Sequence, residues 1–277
     1  SYIRPRGAFI HGVGVETPGS VKYMELFDKA SEIITSGSGK KSTNKKAKGK
    51  IRKGAMMAVL DVWHPDIIEF ITAKQQSGRL TKFNISVNCT DAFIERVMSI
   101  QALEQMISEN QLEGDDITTA NDEIAAQDEW DLIFPDTTHP QYKAEWQGDI
   151  KKWQAAGHPV IVYNTISVKW LWNLIMESTY NRAEPGVLFL DRANHFLPLS
   201  YAETAYATNP CGEQVLAPGG VCNLGSLNLT QFVNADWTDF DYTKVAEYTR
   251  YMVRFLDNIN SLTRAPLPEY EYSMKNK

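Results

Sequence analysis

Two of the three cysteines in this chain, Cys211 and Cys222, stand eleven positions apart in the stretch NPCGEQVLAPGGVCNLG, Asn209 to Gly225. Asn209 and Glu213 flank Cys211 at two residues' distance on either side. Asn-Pro-Cys-Gly-Glu is a turn composition, in which Pro210 and Gly212 constrain the backbone and let a ligand come close to the thiol. In extended chain, alternate residues face one side. Asn209, Cys211 and Glu213 are therefore expected to converge on one small ligand. An ionic cysteine nucleophile works beside a His or Lys that holds it as the thiolate. Here the neighbour is a carboxylate. That favours a neutral thiol suited to one-electron chemistry, beside an acid–base group and a hydrogen-bonding amide. Burial as a small hydrophobe is the ordinary fate of a free cysteine, yet turns rarely supply a core. Cys89, at the end of a strand-like run, fits that ordinary fate.

The bulk numbers narrow the classes. At 277 residues the chain can bury a large core, as one α/β domain or two smaller ones. With 43% hydrophobic and 22% charged residues it has the composition of a globular protein. A net charge of −6 argues against a general affinity for nucleic acid or anionic membrane. No apolar run reaches the length of a membrane span, and SYIRPRGAFI lacks the plan of a signal peptide. Three cysteines do not make a disulfide scaffold, which points to a reducing, cytoplasmic setting. The first residue is Ser1 rather than Met, as expected of a piece of a longer polypeptide.

Other constellations carry less. Between Lys40 and Lys53 there are eight basic residues in fourteen and no acid, which reads either as a solvated loop or as a phosphate-binding loop. GSGKKST is not a P-loop: Gly39-Lys40 is followed by Lys41, and Ile34 occupies the place of the motif's first glycine. His11, His64, His139, His158 and His195 have no zinc-type spacing, so no metal site is expected. Asn84-Ile-Ser, Asn88-Cys-Thr and Asn228-Leu-Thr match the glycosylation sequon by chance.

The elements that must position the cysteines follow from periodicity. Apolar residues at helical spacing predict a helix over 21–34, with Ser20 as N-cap. A strand is expected at 55–63 and a helix from His64, with Pro65 at its first position. Further strands are expected at 83–87 and in HPVIVYN, and helices at 90–108 and 167–181. The acidic stretch 108–149, with Lys143 its only Lys or Arg, reads as a variable, loop-rich excursion. VLFLD (187–191) and CNLGSLNLT read as strands, and 241–260 as a last helix. Strands alternating with helices predict a largely parallel α/β architecture.

ATNPCGEQVLAPGGVCNLGSLNL resembles the central segment of the ribonucleotide reductase large (catalytic) subunit, and RKGAMMAVLDVWHPDIIEFI, FNISV and EPGVLFLDRAN extend the similarity in the family's order. It covers most of residues 1–277 and is weakest across 100–160. The resemblance implies part of a ten-stranded α/β barrel, with a finger loop (207–220) carrying the active-site cysteine through its centre. Cys211 would be the thiyl radical site that takes hydrogen from C3′ of the ribose. Glu213 would be the base on the 3′-hydroxyl, and Asn209 would hold the sugar hydroxyls in a substrate site that includes Gly212. Cys222 would be half of the dithiol that reduces the intermediate. The other half would lie upstream of this chain, since Cys89 does not match its position. The substrate-phosphate loop and a C-terminal cysteine tail would lie downstream.

The resemblance further implies a homodimer through the helices at 21–35 and 65–75, and a deoxynucleoside triphosphate effector at the basic loop 36–53 and the 76–83 loop. Arg52 and Lys53 would contact that effector. The partners would be a ribonucleotide substrate, a thioredoxin- or glutaredoxin-type dithiol reductant, and the enzyme's other segments. The wording of NPCGEQ and VCNLGS is more like the adenosylcobalamin-dependent class II, although no cobalamin-binding motif is present. The alternatives are a class I large-subunit segment served by a separate radical-generating subunit, and a non-catalytic deoxynucleotide-binding fragment. Asn209, Cys211, Glu213 and Cys222 occurring together speak against the last.

Overall fold

The computed structural model describes residues 2–10, 12–36, 54–265 and 267–276. Most of the basic loop, with Arg52 and Lys53, lies outside the described residues. The chain divides into two compact units, Ser1–Glu213 and Gln214–Lys277.

The first unit opens with the short antiparallel pair β1 (Phe9–Ile10) and β2 (Val15–Glu16), then α1 (Ser20–Ser36). β3 (Met56–Asp61), α2 (Ile67–Thr72) and β4 (Phe83–Asn88) make a βαβ unit. Then come α3 (Asp91–Ser108), α4 (Asp115–Gln127), β5 (Trp130–Pro135), α5 (Tyr142–Glu145) and α6 (Ile150–Ala155). β6 (Val160–Ile166), α7 (Val168–Arg182), β7 (Gly186–Leu188), α8 (Leu190–His195) and β8 (Ala207–Thr208) complete it.

β3, β4 and β7 form a parallel sheet in that order, with Met56 opposite Phe83, Asp61 opposite Asn88 and Ser86 opposite Gly186. Parallel strands are joined by crossovers that cover the sheet. Here Ile67, Phe70 and Ile71 of α2, Phe93 and Ile100 of α3, and Leu171 and Ile175 of α7 close over Leu60, Ile85 and Val87. Each such side chain, fully buried, contributes about 1.5–3 kcal/mol. β5 and β6 pair antiparallel, and an aromatic cluster of Trp63, Phe134, Tyr142, Trp146 and Trp153 packs beside them. The three-stranded sheet is thus parallel as expected, while β1–β2 and β5–β6 are separate antiparallel pairs. Among the described residues the strands do not close into a barrel.

The second unit holds β9 (Val215–Leu216), a 3-10 turn at Leu229–Phe232, α9 (Tyr242–Leu262) and α10 (Pro268–Asn276). Asp241 caps α9 by accepting the Lys244 N–H at 2.9 Å. The buried ring of Phe232 meets Tyr248 edge-on at 5.4 Å.

Five local expectations are corrected. Pro65 does not open α2, which starts at Ile67 with Asp66 as its N-cap. The acidic stretch 108–149 is not loop-rich, since it contains α4, β5 and α5. Asp115 and Asp116 favour the positive end of α4, and Ala120 and Ile124 turn inward. VLFLD is strand only to Leu188: the Asn88 side chain accepts the Leu190 N–H at 3.0 Å and starts α8 there. CNLGSLNLT is not a strand, for among the described residues no ladder partner meets it, and Asn228 caps the 3-10 turn through the Thr230 N–H at 3.2 Å. Finally, Ser20 does not cap α1 through its own oxygen. It is the first helical residue, and its N–H and hydroxyl both donate to Asp66. Gly19 before it has φ +88°, and a Cβ there would stand 2.8 Å from that of Arg6, so only glycine fits this corner.

Candidate active site

The NPCG sequence closes on itself. The Gly212 N–H donates to the Asn209 carbonyl at 3.0 Å, leaving Pro210 and Cys211 at the central positions of a four-residue turn. Pro210 pre-sets its own φ, and Gly212 takes φ +82°, which side-chain-bearing residues adopt at a cost. The segment therefore reverses rather than running extended. Alternation along a strand does not apply to 209–212, and convergence of Asn209, Cys211 and Glu213 needs other support. The turn does keep all three within one short loop. Cys211, Gly212 and Glu213 are exposed, and Asn209 is half-buried. The Cys211 thiol is free, and a Cβ on Gly212 would meet nothing within 4 Å, so the space at Gly212 is open.

Contacts from Thr208 and Asn84 help to hold the turn. The buried Thr208 hydroxyl donates to the Asn209 carbonyl at 3.0 Å. From β4, the Asn84 side chain donates to the Pro210 carbonyl, across 126 positions of sequence. Asn84 carries no sequence signal for this role beyond the sequon match set aside above.

Cys222 belongs to the second unit. Its thiol is free and exposed, in coil that Asn223 ties to α9 through the Leu256 carbonyl and Asn260 Oδ1, both at 3.0 Å. It lines a cleft of about 380 Å³ with Leu216, Val221, Tyr270 and Met274. Cys89 behaves as the sequence suggests: it is fully buried, and burial pushes its thiol up to about 12.

His64 is also fully buried. Its Nε2 lies 2.9 Å from the Ile3 carbonyl, and its Nδ1 accepts the Asp66 N–H at 3.0 Å. Burial lowers its pKa to about 4, so it is a neutral structural imidazole near neutral pH. The 76–83 loop is fastened to α1. Arg79 reaches Glu25 through Nε at 2.8 Å and Nη2 at 2.5 Å, and the Lys82 N–H donates to Asp28 at 2.7 Å. Lys22 and Arg79 together hold the Glu25 carboxyl below its ordinary range. Among the described residues no three His, Cys, Asp or Glu side chains are grouped to hold a metal ion, and no helix is long and apolar enough to cross a membrane.

Fold and site together define an α/β domain that presents a free thiol on a turn between a carboxamide and a carboxylate. The chain belongs to the ribonucleotide reductase barrel-domain family, whose model matches residues 1–277. It is 31% identical over 270 residues to a vitamin B12-dependent ribonucleoside-diphosphate reductase of Mycobacterium tuberculosis, covering 97% of this chain and 30% of that protein. A protein of the same name from Thermoplasma acidophilum is 29% identical over 97% of this chain and 27% of its own length. The ribonucleoside-diphosphate reductase large chain of Cryptosporidium parvum is 25% identical, over 95% of this chain and 28% of its own. The chain thus spans less than a third of the length of these relatives.

Proposed function

We propose that this chain forms the catalytic core segment of a ribonucleotide reductase, which converts ribonucleoside diphosphates to their 2′-deoxy forms through a thiyl radical on Cys211. The observation that carries the reading is the free, exposed Cys211 thiol on a turn between Asn209 and Glu213, in a chain of this family. The diphosphate substrate is inferred from the relatives' names.

Each residue has a defined task. The Cys211 sulfur radical takes the hydrogen atom from C3′, forming S–H as C3′–H breaks. Glu213 accepts the 3′-hydroxyl proton, and the 2′-hydroxyl leaves as water with a proton from the dithiol. Asn209 hydrogen-bonds the sugar hydroxyls, and Gly212 leaves room for the ribose. Cys222 and a second thiol, which the buried Cys89 does not supply, give one proton to that water, one hydrogen atom to C2′ and one further electron to the 3′-ketone, which regains its proton from Glu213, and they become a disulfide. Cys211 then returns its hydrogen to C3′ and recovers the radical. The sum is ribonucleotide plus dithiol giving deoxyribonucleotide, disulfide and water. An external dithiol of the thioredoxin or glutaredoxin type reduces the disulfide.

Adenosylcobalamin is the proposed radical source, because the two relatives at 29% and 31% identity are both named as B12-dependent. The free Cys211 thiol is exposed and so accessible to such a group. When bound, that cofactor supplies a carbon radical able to take the thiol hydrogen. The second reading, a class I segment with a separate radical-generating subunit, is favoured by the large-chain relative.

The remaining architecture is proposed on the family relation: residues 1–277 as part of a ten-stranded barrel, a finger loop at 207–220, effector loops at 36–53 and 76–83, and a cytoplasmic setting. A homodimer would rest on the helices at 21–35 and 65–75, of which α1 exposes Leu26, Phe27, Ile33 and Ile34. The test is reduction of ribonucleoside diphosphates by the complete reductase carrying this sequence, with adenosylcobalamin and a dithiol. Cys211→Ala should abolish turnover. Clear residual turnover sinks the radical assignment, and activity only with a metal-containing partner subunit moves the chain to the second reading.

A further inference from the structure

We propose that the side chains of Asn84, Asn88 and Asn194 are positioning residues that fix the Cys211 turn against the parallel sheet. The inference rests on the reading of Cys211 as the reacting thiol. Each amide engages groups that lie far away in sequence or in a different element.

Asn88 ends β4 and is 5% exposed. Its Oδ1 accepts the Leu190 N–H at 3.0 Å, and its Nδ2 donates to the Asp61 carboxylate on β3. The start of α8 is thereby set relative to both strands. Asn194, one turn further along α8, passes the reference on. Its Oδ1 accepts the Ala205 N–H at 2.8 Å, and its Nδ2 donates to the Ala205 carbonyl and to the Leu190 carbonyl, each at 2.9 Å. One side chain thus satisfies both main-chain groups of a single residue, as a neighbouring strand would. Ala205 is 1% exposed, so its polar groups have little recourse to water. Asn84, nearer the start of β4, donates to the Pro210 carbonyl.

The segment leading to the thiol is therefore referred to β4 twice: through Asn88, α8 and Asn194 at Ala205, and through Asn84 at Pro210. Only five positions separate those anchors, and Cys211 follows the second directly. Hydrogen-atom transfer requires the donor and acceptor atoms in contact, and a misplacement near 1 Å can cost about 10²-fold in rate. These amides touch no reacting atom. They determine where the sulfur stands.

Two variants test this in the complete reductase, with hydrogen exchange and steady-state kinetics as readouts. Asn194→Ala removes the acceptor for the Ala205 N–H. Asn84→Ala removes the tie at Pro210, and because Asn84 is exposed its loss should leave the fold intact. Exchange at Ala205 in the first variant and at Gly212 in the second should rise about two- to tenfold, the scale of one lost hydrogen bond. In both, kcat should fall about ten- to a hundredfold with KM unchanged, and Asn84→Gln, which retains the donor, should recover most of the loss. A folded Asn84→Ala protein with wild-type exchange at Gly212 and wild-type kcat overturns the proposal. If exchange responds while wild type reduces no ribonucleotide under any radical source, the anchoring stands and the reading of Cys211 is what fails.

Discussion

The carboxylate of Asp66, just ahead of α2, closes the first turn of α1: its Oδ2 accepts the Ser20 N–H at 2.8 Å and the Ser20 hydroxyl at 2.9 Å. Its Oδ1 accepts the Arg6 N–H at 2.9 Å. One buried side chain therefore joins the N-terminal segment, α1 and the βαβ unit. Asp66→Ala leaves two main-chain donors without a partner in a site that is 6% exposed. Loss of these charge-assisted bonds should cost about 2–4 kcal/mol, read as a lower urea midpoint with an unchanged slope.

His64 makes stability depend on acid. Its pKa is lowered from 6.5 to about 4 by burial, so between those values the unfolded chain binds a proton that the folded one does not. The contribution is complete above pH 6.5 and falls away as the pH drops toward 4. The loss should reach about 3 kcal/mol across that window. Urea titrations at pH 7, 6 and 5 should show midpoints falling progressively below pH 6.5, and a His64→Gln protein should show a flatter dependence.

Glu213→Gln separates proton acceptance from radical transfer. A carboxamide cannot take the 3′-hydroxyl proton, so kcat should fall about 10²–10⁴-fold. Hydrogen exchange between Cys211 and C3′ of the substrate should persist, and isotope washout from a C3′-labelled nucleotide measures it. Wild-type kcat in this variant would remove Glu213 from the proposed mechanism.

Arg52 and Lys53 test the effector loop. If they bracket effector phosphates, removing both should weaken deoxynucleoside triphosphate binding about ten- to a hundredfold at every salt concentration. Lys40, Lys41, Lys45 and Lys46 should matter only at low salt, since attraction at a distance is screened over about 8–10 Å. Calorimetric titration in low and physiological salt distinguishes the two groups, and equal affinity in the Arg52/Lys53 variant would return the segment to a solvated loop.

The amino-acid order by itself determined the elements whose apolar residues repeat at one period: α1, β3, β4, α3, α7 and α9 stand where periodicity puts them, because the repeat is a local property of the pattern, even in α9, which has no buried residue. It also marked Cys211, since Pro and Gly around a thiol between an amide and an acid is a local signature. Where the pattern was short or polar, the chain alone was insufficient. α4 hides its inward Ala120 and Ile124 among acids, and VLFLD divides into β7 and α8 because Asn88, a hundred residues upstream, intercepts the Leu190 N–H. CNLGSLNLT has strand-like alternation, yet a strand exists only where another strand meets its hydrogen bonds. The extended reading of NPCGE failed for a local reason, the bond from Gly212 to Asn209, which composition suggested and alternation overrode. What only the tertiary structure decided is the setting of that turn: Asn84, Asn88 and Asn194 became visible as its anchors once folding brought β4, α8 and Pro210 together, because a side-chain amide is specific for whatever main-chain group is placed within its reach.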